Sequence, residues 1–197
     1  MTRSAWEPVP ANAAENAVIP ADPTLPPHID FNADWQARFR PRVTGRFTGT
    51  TDEIIQWAAC KWGLDDDLLR AQATAESTWR MDAEGDWETA SRGHCVAGDT
   101  RDPCPVSFGI LQNKWYYNPG SYPRVKQSTA FSLDFSAAKL RGCFDGMKWI
   151  DGVSHTGDLW GCVGNWWSGR WYDPGAIAYV QRVVSLYEEK PWLRWRG

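Results

Sequence analysis

One glutamate in the sequence has the surroundings of a general acid. Glu76 lies in the run AQATAESTW, where Ala73 and Ala75 precede it. Trp79 follows it by about one helical turn, on the same face if the helix continues. A carboxyl group in a partly apolar, partly closed cleft has a raised pKa and can protonate the leaving oxygen of a glycosidic bond. The alternative interpretation is an ordinary surface glutamate on an amphipathic helix.

A second carboxylate decides the outcome of such chemistry. An inverting hydrolase carries one roughly 6.5–9.5 Å from the acid to activate water, whereas the acid alone is enough when the substrate's own hydroxyl attacks. The loop that follows Glu76 offers three candidates: Asp86, Asp99 and Asp102. Each of them could instead be a solvated turn residue that accepts hydrogen bonds from local N–H groups, and both roles stay open.

Two helices are predicted to position Glu76. Thr50 and Glu53 have the capping-box spacing at the start of the first helix. Asp65 or Asp66 can cap the second helix, which carries Glu76. Helical periodicity returns further along the chain, at residues 107–112, 132–144 and 174–188.

The chain divides into an N-terminal segment and one domain. Residues 1–49 are rich in Pro, Ala and Asn without a sustained period, so we expect an extended, partly disordered segment. Four aromatic residues can anchor it to the domain surface: Phe31, Trp35, Phe39 and Phe47. Residues 50–197 are expected to form a mainly α domain, with a minor β-hairpin in the long loop between Trp79 and Ser107.

Five cysteines indicate two disulfides. Cys95 and Cys104 bracket one polar loop, and Cys143 and Cys162 bracket a Gly-rich one. Pairing within each bracket would close short loops and stabilise each by about 3 kcal/mol. Cys60 lies within a helical pattern and is then expected to be a buried free thiol.

Disulfides form in oxidising compartments, so this pairing predicts a secreted, extracellular protein. The residues after Met1, TRSAWEPVP, lack the apolar core of a signal peptide. We therefore expect a mature chain in which Met1 replaces a secretion signal. The alternative is a cytosolic or phage protein with reduced thiols.

Composition limits the partners. The formal net charge of -3 argues against nucleic acid, and no apolar stretch approaches the roughly 18 residues of a membrane span. A cluster of arginines is either a solvated strip or a docking site for an anionic polymer: Arg38, Arg40, Arg42 and Arg46. The 14 Trp suit both core packing and stacking on sugar rings. We expect a monomer without cofactor or metal, His94 beside Cys95 being the one local hint of a metal.

Four segments resemble a known family when they are taken in order. Residues 65–79, DDDLLRAQATAESTW, resemble the segment that leads to the catalytic Glu of soluble lytic transglycosylases and goose-type lysozymes. Residues 107–112, SFGILQ, resemble the family's small-x-Gly-Leu-Met-Gln segment. Residues 132–140 are similar to the helix that follows, and residues 178–187 resemble the closing Tyr-Val-x-x-Val-x-x-x-Tyr helix.

This resemblance implies a two-lobed, lysozyme-like domain with a central helix and a saccharide groove. It makes Glu76 the general acid, with Ser77 following as in the family, and it makes Ser107 and Gln112 cleft-lining groups. The implied substrate is a β-1,4-linked polymer of N-acetylated aminosugars, with peptidoglycan first. The implied reaction is either hydrolysis or transglycosylation.

Two features depart from the family pattern. The cysteine-bracketed loop lengthens the chain between Glu76 and the SFGILQ segment, so specificity can be particular to this protein. The family's Tyr-Asn-Ala-Gly segment has its nearest match in GNWWSG. Anchored at Gly169, this match puts Trp166 in place of the Tyr beside the acid. Anchored at Asn165, it puts Gly164 there and a hydrogen bond is lost.

Aromatic clusters are expected to supply part of a sugar-stacking wall. They follow cleft-type motifs and comprise Trp115, Tyr116, Tyr117, Trp166 and Trp167. Adjacent aromatics cannot all point the same way, so at least one in each cluster is expected to be core. The alternatives to a peptidoglycan-cleaving enzyme are a chitinase or other polysaccharide hydrolase on the same fold, and a non-catalytic saccharide-binding protein.

Overall fold

The computed structural model describes residues 6–21 and 24–195. These residues form a mainly helical protein with one small antiparallel sheet, which confirms the mainly α expectation. The helices are α1 (Ala13–Asn16), α2 (Ala33–Arg38), α3 (Thr51–Trp62), α4 (Asp66–Ser77), α5 (Arg124–Gln127), α6 (Thr129–Phe144), α7 (Leu159–Ser168) and α8 (Pro174–Glu189). The strands lie in the order β1 (Glu84–Glu88), β2 (Cys104–Phe108) and β3 (Asn113–Lys114).

The helix starts predicted around Glu76 are confirmed. The Thr50 hydroxyl accepts a hydrogen bond from the Glu53 backbone N–H at 3.3 Å, and the Glu53 carboxylate accepts one from the Thr50 N–H at 3.0 Å. Asp65 caps α4 by accepting from the Asp67 N–H at 2.8 Å. Capping fixes where α4 begins, so Glu76 falls in its last turn.

The central helix is α6, which is buried around nearly its whole circumference. A helix with apolar residues on all sides belongs in a core. It packs against α3 on one side and α7 on another, while α8 packs against both α7 and α4. This arrangement brings α7 and α8 to the end of α4 that carries Glu76.

The β-hairpin expected between Trp79 and Ser107 is present as β1 and β2, with Gly85 paired to Ser107. The prediction of a helix at residues 107–112 is wrong. Ser107 and Phe108 are the last two residues of β2, and residues 109–112 form a turn. Gly109 explains the turn. It has φ +77, and a Cβ on it would lie 2.2 Å from the carbonyl oxygen of Val125, so this position takes glycine and the chain cannot continue as a regular helix.

The N-terminal segment is more ordered than expected. Its described residues contain α1 and α2, so the extended conformation predicted for residues 1–49 is wrong there. The aromatic anchors Phe31, Trp35 and Phe39 are buried, as expected, and Phe47 packs against the core. Residues 1–5 and 22–23, to which the predicted disorder also applies, lie outside the described residues. The domain boundary at residue 50 stays a prediction.

This segment also supports the end of α4. The Asn12 side chain donates to the Trp79 carbonyl at 2.6 Å and accepts from the Met81 backbone N–H at 2.9 Å. Asn12 is buried in this position. A buried amide with both ends bonded fixes the backbone it touches, so the N-terminal segment helps to shape the chain just after Glu76.

The two predicted disulfides are confirmed as Cys95–Cys104 and Cys143–Cys162. Cys60 is free, as expected, but it is exposed and not buried. It lies on the solvent side of α3, whose opposite face packs on α6 and α4. None of the helices among the described residues is long and apolar enough to cross a membrane.

The exposed thiol leads to a direct prediction. The native, oxidised protein should react with one equivalent of Ellman's reagent without denaturant, since Cys60 alone is free and exposed. A Cys60→Ser variant should show no native reaction and an unchanged melting temperature. A second equivalent in the native protein would contradict the disulfide assignment.

Candidate active site

Glu76 lies partly exposed at the end of α4, with its carboxyl group held by α7 and α8. Its Oε1 accepts a hydrogen bond from the Tyr179 hydroxyl at 2.6 Å. Burial raises the pKa of Glu76 to about 7. The Tyr179 hydroxyl and, more weakly, the indole N–H of Trp166 pull that pKa down, while the charge of Asp86 raises it and that of Arg182 lowers it.

Close packing of α7 on α8 brings these groups together. A Cβ on Gly164 would lie 3.1 Å from the Cβ of Ala176, so glycine allows the two helices to approach at this level. Asp173 caps α8 by accepting from the Ala176 N–H at 2.7 Å, which fixes the start of that helix. Tyr179, one turn further on, is thereby directed at Glu76.

Trp79 does not enclose Glu76, contrary to the expectation from its spacing. The helix ends at Ser77, and Thr78 and Trp79 have left-handed backbone angles, φ 54 and 65. The Trp79 ring instead packs against Trp192 and Trp195, with centroids 6.2 and 5.0 Å away. The apolar walls around the acid therefore come from α7 and α8.

Two successive side chains of α7 in the GNWWSG segment, Asn165 and Trp166, have different surroundings. The Trp166 indole interacts with the Glu76 carboxyl, as expected when the segment is anchored at Gly169. Asn165 is closed to solvent, and its Oδ1 accepts a hydrogen bond from Lys148. This placement corrects the expectation that Asn165 lines a substrate groove.

Sequence reasoning did not predict α7 as a helix, because glycines and tryptophans have weak helix propensity. A signal was present at its start. Asp158 precedes the helix and accepts a hydrogen bond from the Gly161 backbone N–H at 2.9 Å. Such an N-cap before the largely apolar run LWGCVGNWW would have indicated a short core helix.

Asp86 is the candidate second carboxylate that acts on Glu76. Its charge raises the pKa of Glu76. It accepts a hydrogen bond from the Ser107 hydroxyl at 2.6 Å, and its carboxylate lies 3.6 Å from the Lys114 ammonium. Asp86 also has a left-handed φ of 51, a conformation uncommon in a strand. The hairpin thus holds an oriented carboxylate whose charge reaches Glu76.

The other two candidate aspartates are occupied by local contacts. Asp99 pairs with Arg101, Oδ2 to Nη2 at 2.7 Å, and this partner lowers the pKa of Asp99. Asp102 accepts a hydrogen bond from the Ala90 backbone N–H at 3.0 Å. Neither is among the main groups that shift the pKa of Glu76. Both match the alternative interpretation as loop residues, which corrects their nomination as the second carboxylate.

The three residues expected to line the cleft, Ser77, Gln112 and Ser107, make hydrogen bonds within the protein around Glu76 and Asp86. Ser77 donates to the carbonyl of Ile110 at 2.8 Å and so ties the end of α4 to the turn after β2. Gln112 is partly exposed and donates to the Gly109 carbonyl in that turn at 2.9 Å and to the Ala83 carbonyl, just before β1, at 3.1 Å. Ser107 is buried beneath Asp86. Burial corrects its expected contact with substrate, and we assign it the role of orienting Asp86.

Two of the three aromatics after Gln112 are built into the hairpin. The Trp115 indole donates to the His94 carbonyl at 2.7 Å. Tyr116 stacks on the His94 ring at 4.0 Å and donates to Glu88 at 2.8 Å. Tyr117 stays 63% exposed.

A cavity of about 450 Å³ adjoins this cluster and is lined by Val96, Ala97, Trp115, Tyr116, Pro119, Gly120 and Tyr122. A second cavity of about 180 Å³ lies between α7 and α8. Glu76 lines neither of them. Glu76 itself is partly exposed, so its carboxyl group is within reach of solvent at the end of α4.

No family model, curated protein or solved structure matches this chain. The resemblance to lytic transglycosylases and goose-type lysozymes therefore stays a prediction. The case for function depends on the chemistry of the residues around Glu76.

The exposed aromatics provide a test of the expected sugar-stacking wall. Tyr117 is 63% exposed and Trp167 56% exposed, so each can change to Ala with little loss of folding free energy. If they stack on sugar rings, each substitution should weaken oligosaccharide binding about 5- to 30-fold, the loss of roughly 1–2 kcal/mol of aromatic contact. Binding is measured by calorimetry on Glu76→Gln protein. An Ile177→Ala variant, which removes another half-exposed apolar side chain, should bind as the parent does.

Proposed function

We propose that this protein cleaves a β-1,4-linked polymer of N-acetylated aminosugars with Glu76 as the general acid. The substrate that we favour is peptidoglycan. The observation that carries the proposal is the placement of the Glu76 carboxyl group at the end of α4, where the Tyr179 hydroxyl donates to it at 2.6 Å and burial raises its pKa to about 7. A general acid works best when its pKa lies near the working pH. A surface glutamate would be fully ionised there and could not donate a proton.

The chemistry runs in two steps. Protonated Glu76 gives its proton to the glycosidic oxygen while the bond from that oxygen to the anomeric carbon breaks, and the leaving sugar departs as an alcohol. Glu76 becomes a carboxylate, which the Tyr179 hydroxyl stabilises from 2.6 Å. A nucleophilic O–H then attacks the anomeric carbon and loses its proton to a carboxylate.

The nucleophile distinguishes hydrolysis from transglycosylation. If the substrate's own hydroxyl attacks, Glu76 recovers the proton and the product has an anhydro end. If water attacks from the opposite side, a second carboxylate must accept the proton. The oriented Asp86 carboxylate favours this hydrolytic route as the second candidate, because its charge reaches Glu76.

The proposed fold is a lysozyme-like domain in which the helices around Glu76 and the β1–β2 hairpin form two sides of a saccharide groove. The two disulfides are compatible with a protein that acts outside the cell, where such polymers occur. We propose a polysaccharide as the partner, a monomer as the working unit, and no nucleic acid. Chitin and related polymers are the alternative substrates.

Mass spectrometry of the products tests the proposal. Purified peptidoglycan and chitin oligomers are incubated separately with the protein and with Asp86→Asn. Anhydro-ended products that persist in Asp86→Asn support transglycosylation, whereas reducing-ended products that disappear in it support hydrolysis. If neither polymer is cleaved but oligosaccharides still bind, the protein is the non-catalytic saccharide-binding alternative and the proposal fails.

A further inference from the structure

Two lysines are buried in the protein interior, and both contact residues next to Glu76 or on the helix that faces it. Lys139 on α6 is 9% exposed, and Lys148, after α6, is 8% exposed. Each donates to a side-chain amide oxygen, Lys139 to Asn118 and Lys148 to Asn165. Within the described part of the chain neither has a carboxylate at ion-pair distance. Buried ammonium groups without a close counter-ion are costly and uncommon, so their placement needs an explanation.

Lys139 connects the acid to both aromatic clusters. Its ammonium lies 5.0 Å from the centroid of the Trp166 ring, a cation–π contact. The indole N–H of that ring interacts with Glu76. On the other side Lys139 bonds to Asn118, whose backbone N–H donates to the Trp115 carbonyl at 3.1 Å. Lys139 therefore contacts Trp166 of α7 on one side and Asn118, directly after the Trp115–Tyr117 cluster, on the other.

Lys148 bonds to Asn165, the residue that precedes Trp166 on α7. The Asn165 amide oxygen accepts this hydrogen bond. Fixing Asn165 in the core sets the rotation of α7 about its axis, and this rotation decides where Trp166 points. Lys148 thus restrains Asn165, and Lys139 restrains the next residue of α7, Trp166.

We propose that Lys139 and Lys148 are positioning residues that hold Trp166 against the Glu76 carboxylate. The proposal concerns contacts within the protein, and it rests on the proposed function only for its effect on catalysis. A neutral apolar side chain at either position would fill the space. It would leave the indole without the cation on its face, or α7 without its anchor.

The direction of the effect follows from the charges. The Trp166 N–H favours the ionised form of Glu76 and so lowers its pKa. Releasing the indole should raise that pKa. The other groups that face Glu76, which are Tyr179, Arg182 and Asp86, stay in place.

The lysines themselves titrate near neutrality. Burial, with a further contribution from Lys148, lowers the pKa of Lys139 to about 7, and burial lowers that of Lys148 to about 8. Asp30 raises both pKa values. His28, which also bonds to Asn118, has its pKa lowered to about 3 by burial, so it is neutral throughout this range.

The test is an NMR titration of the Glu76 carboxyl carbon, assigned by its loss in Glu76→Gln. Lys139→Met should raise the pKa of Glu76 by about one, the effect of losing one hydrogen bond to a carboxylate. Trp166→Phe should raise it equally, and the double variant should add nothing. Lys139→Arg keeps the cation over the ring and should restore the original value. Lys190→Met, which removes a partly exposed lysine paired with Asp67, is the control and should change nothing.

A second measurement needs no lysine variant and covers the case in which Lys139→Met fails to fold. In Glu76→Gln protein the indole N–H resonance of Trp166 should still shift as the pH is raised until the lysines lose their protons. Absence of that transition, additive effects in the double variant, or an unchanged Glu76 pKa in folded Lys139→Met would each overturn the proposal. If the NMR effects appear but no polymer is cleaved, the positioning role stands and the proposed enzymatic function fails.

Discussion

Glu76→Gln should reduce cleavage of the polymer by at least about 10²–10⁴-fold, the usual contribution of general acid catalysis. Glutamine keeps the size of the side chain, and its amide oxygen can still accept the hydrogen bond from Tyr179. It has no acidic proton to transfer. The rate of product formation is measured by chromatography of solubilised fragments, and folding by circular dichroism.

The matched control is Glu189→Gln, which makes the same chemical change in an exposed residue whose carboxylate accepts only a local hydrogen bond from Ser185. Its activity should equal that of the parent. If Glu76→Gln retains near-normal turnover, Glu76 is not the acid and the proposed mechanism is wrong. Retained binding with lost turnover separates a catalytic role from a substrate-holding role.

The local signals around Glu76 could be predicted from sequence because they are properties of short segments. Thr50 with Glu53 and then Asp65 marked the starts of α3 and α4, since an N-cap needs only the right side chain beside free backbone N–H groups. The paired cysteines closed loops of 9 and 19 residues, which are separations that favour local bonds.

The features around Glu76 that the sequence did not predict correctly depend on contacts between residues far apart in the chain. Trp79 had the right spacing to face Glu76, but the helix ends before it and its ring joins Trp192, over a hundred residues away. Tyr179 was part of the motif of the closing helix. Its bond to Glu76, across a separation of 103 residues, is set by how α8 packs on α4. Periodicity within one segment carries no information on such packing.

The same property that makes Glu76 a proton donor should make it a source of instability at alkaline pH. Its pKa rises from 4.5 in the unfolded chain to about 7 in the folded one. A group with a raised pKa contributes stability that is fully present below pH 4.5 and is lost as the pH rises through about 7. The folded protein must then hold a partly buried carboxylate.

Glu76→Gln should therefore be as stable as the parent near pH 4 and more stable near pH 9, by roughly 3–4 kcal/mol, because the pKa rises from 4.5 to about 7 and each pKa unit corresponds to about 1.4 kcal/mol. The free energy of unfolding is measured by urea titration at both pH values. Glu189→Gln should show no such crossover. Equal stabilities of parent and Glu76→Gln at pH 9 would mean that the folded protein does not disfavour the carboxylate. Glu76 would then lack the raised pKa that a general acid requires at neutral pH. A variant that is both inactive and more stable at high pH would link the two effects to one cause, since the surroundings that keep the proton on Glu76 are the surroundings that penalise its loss.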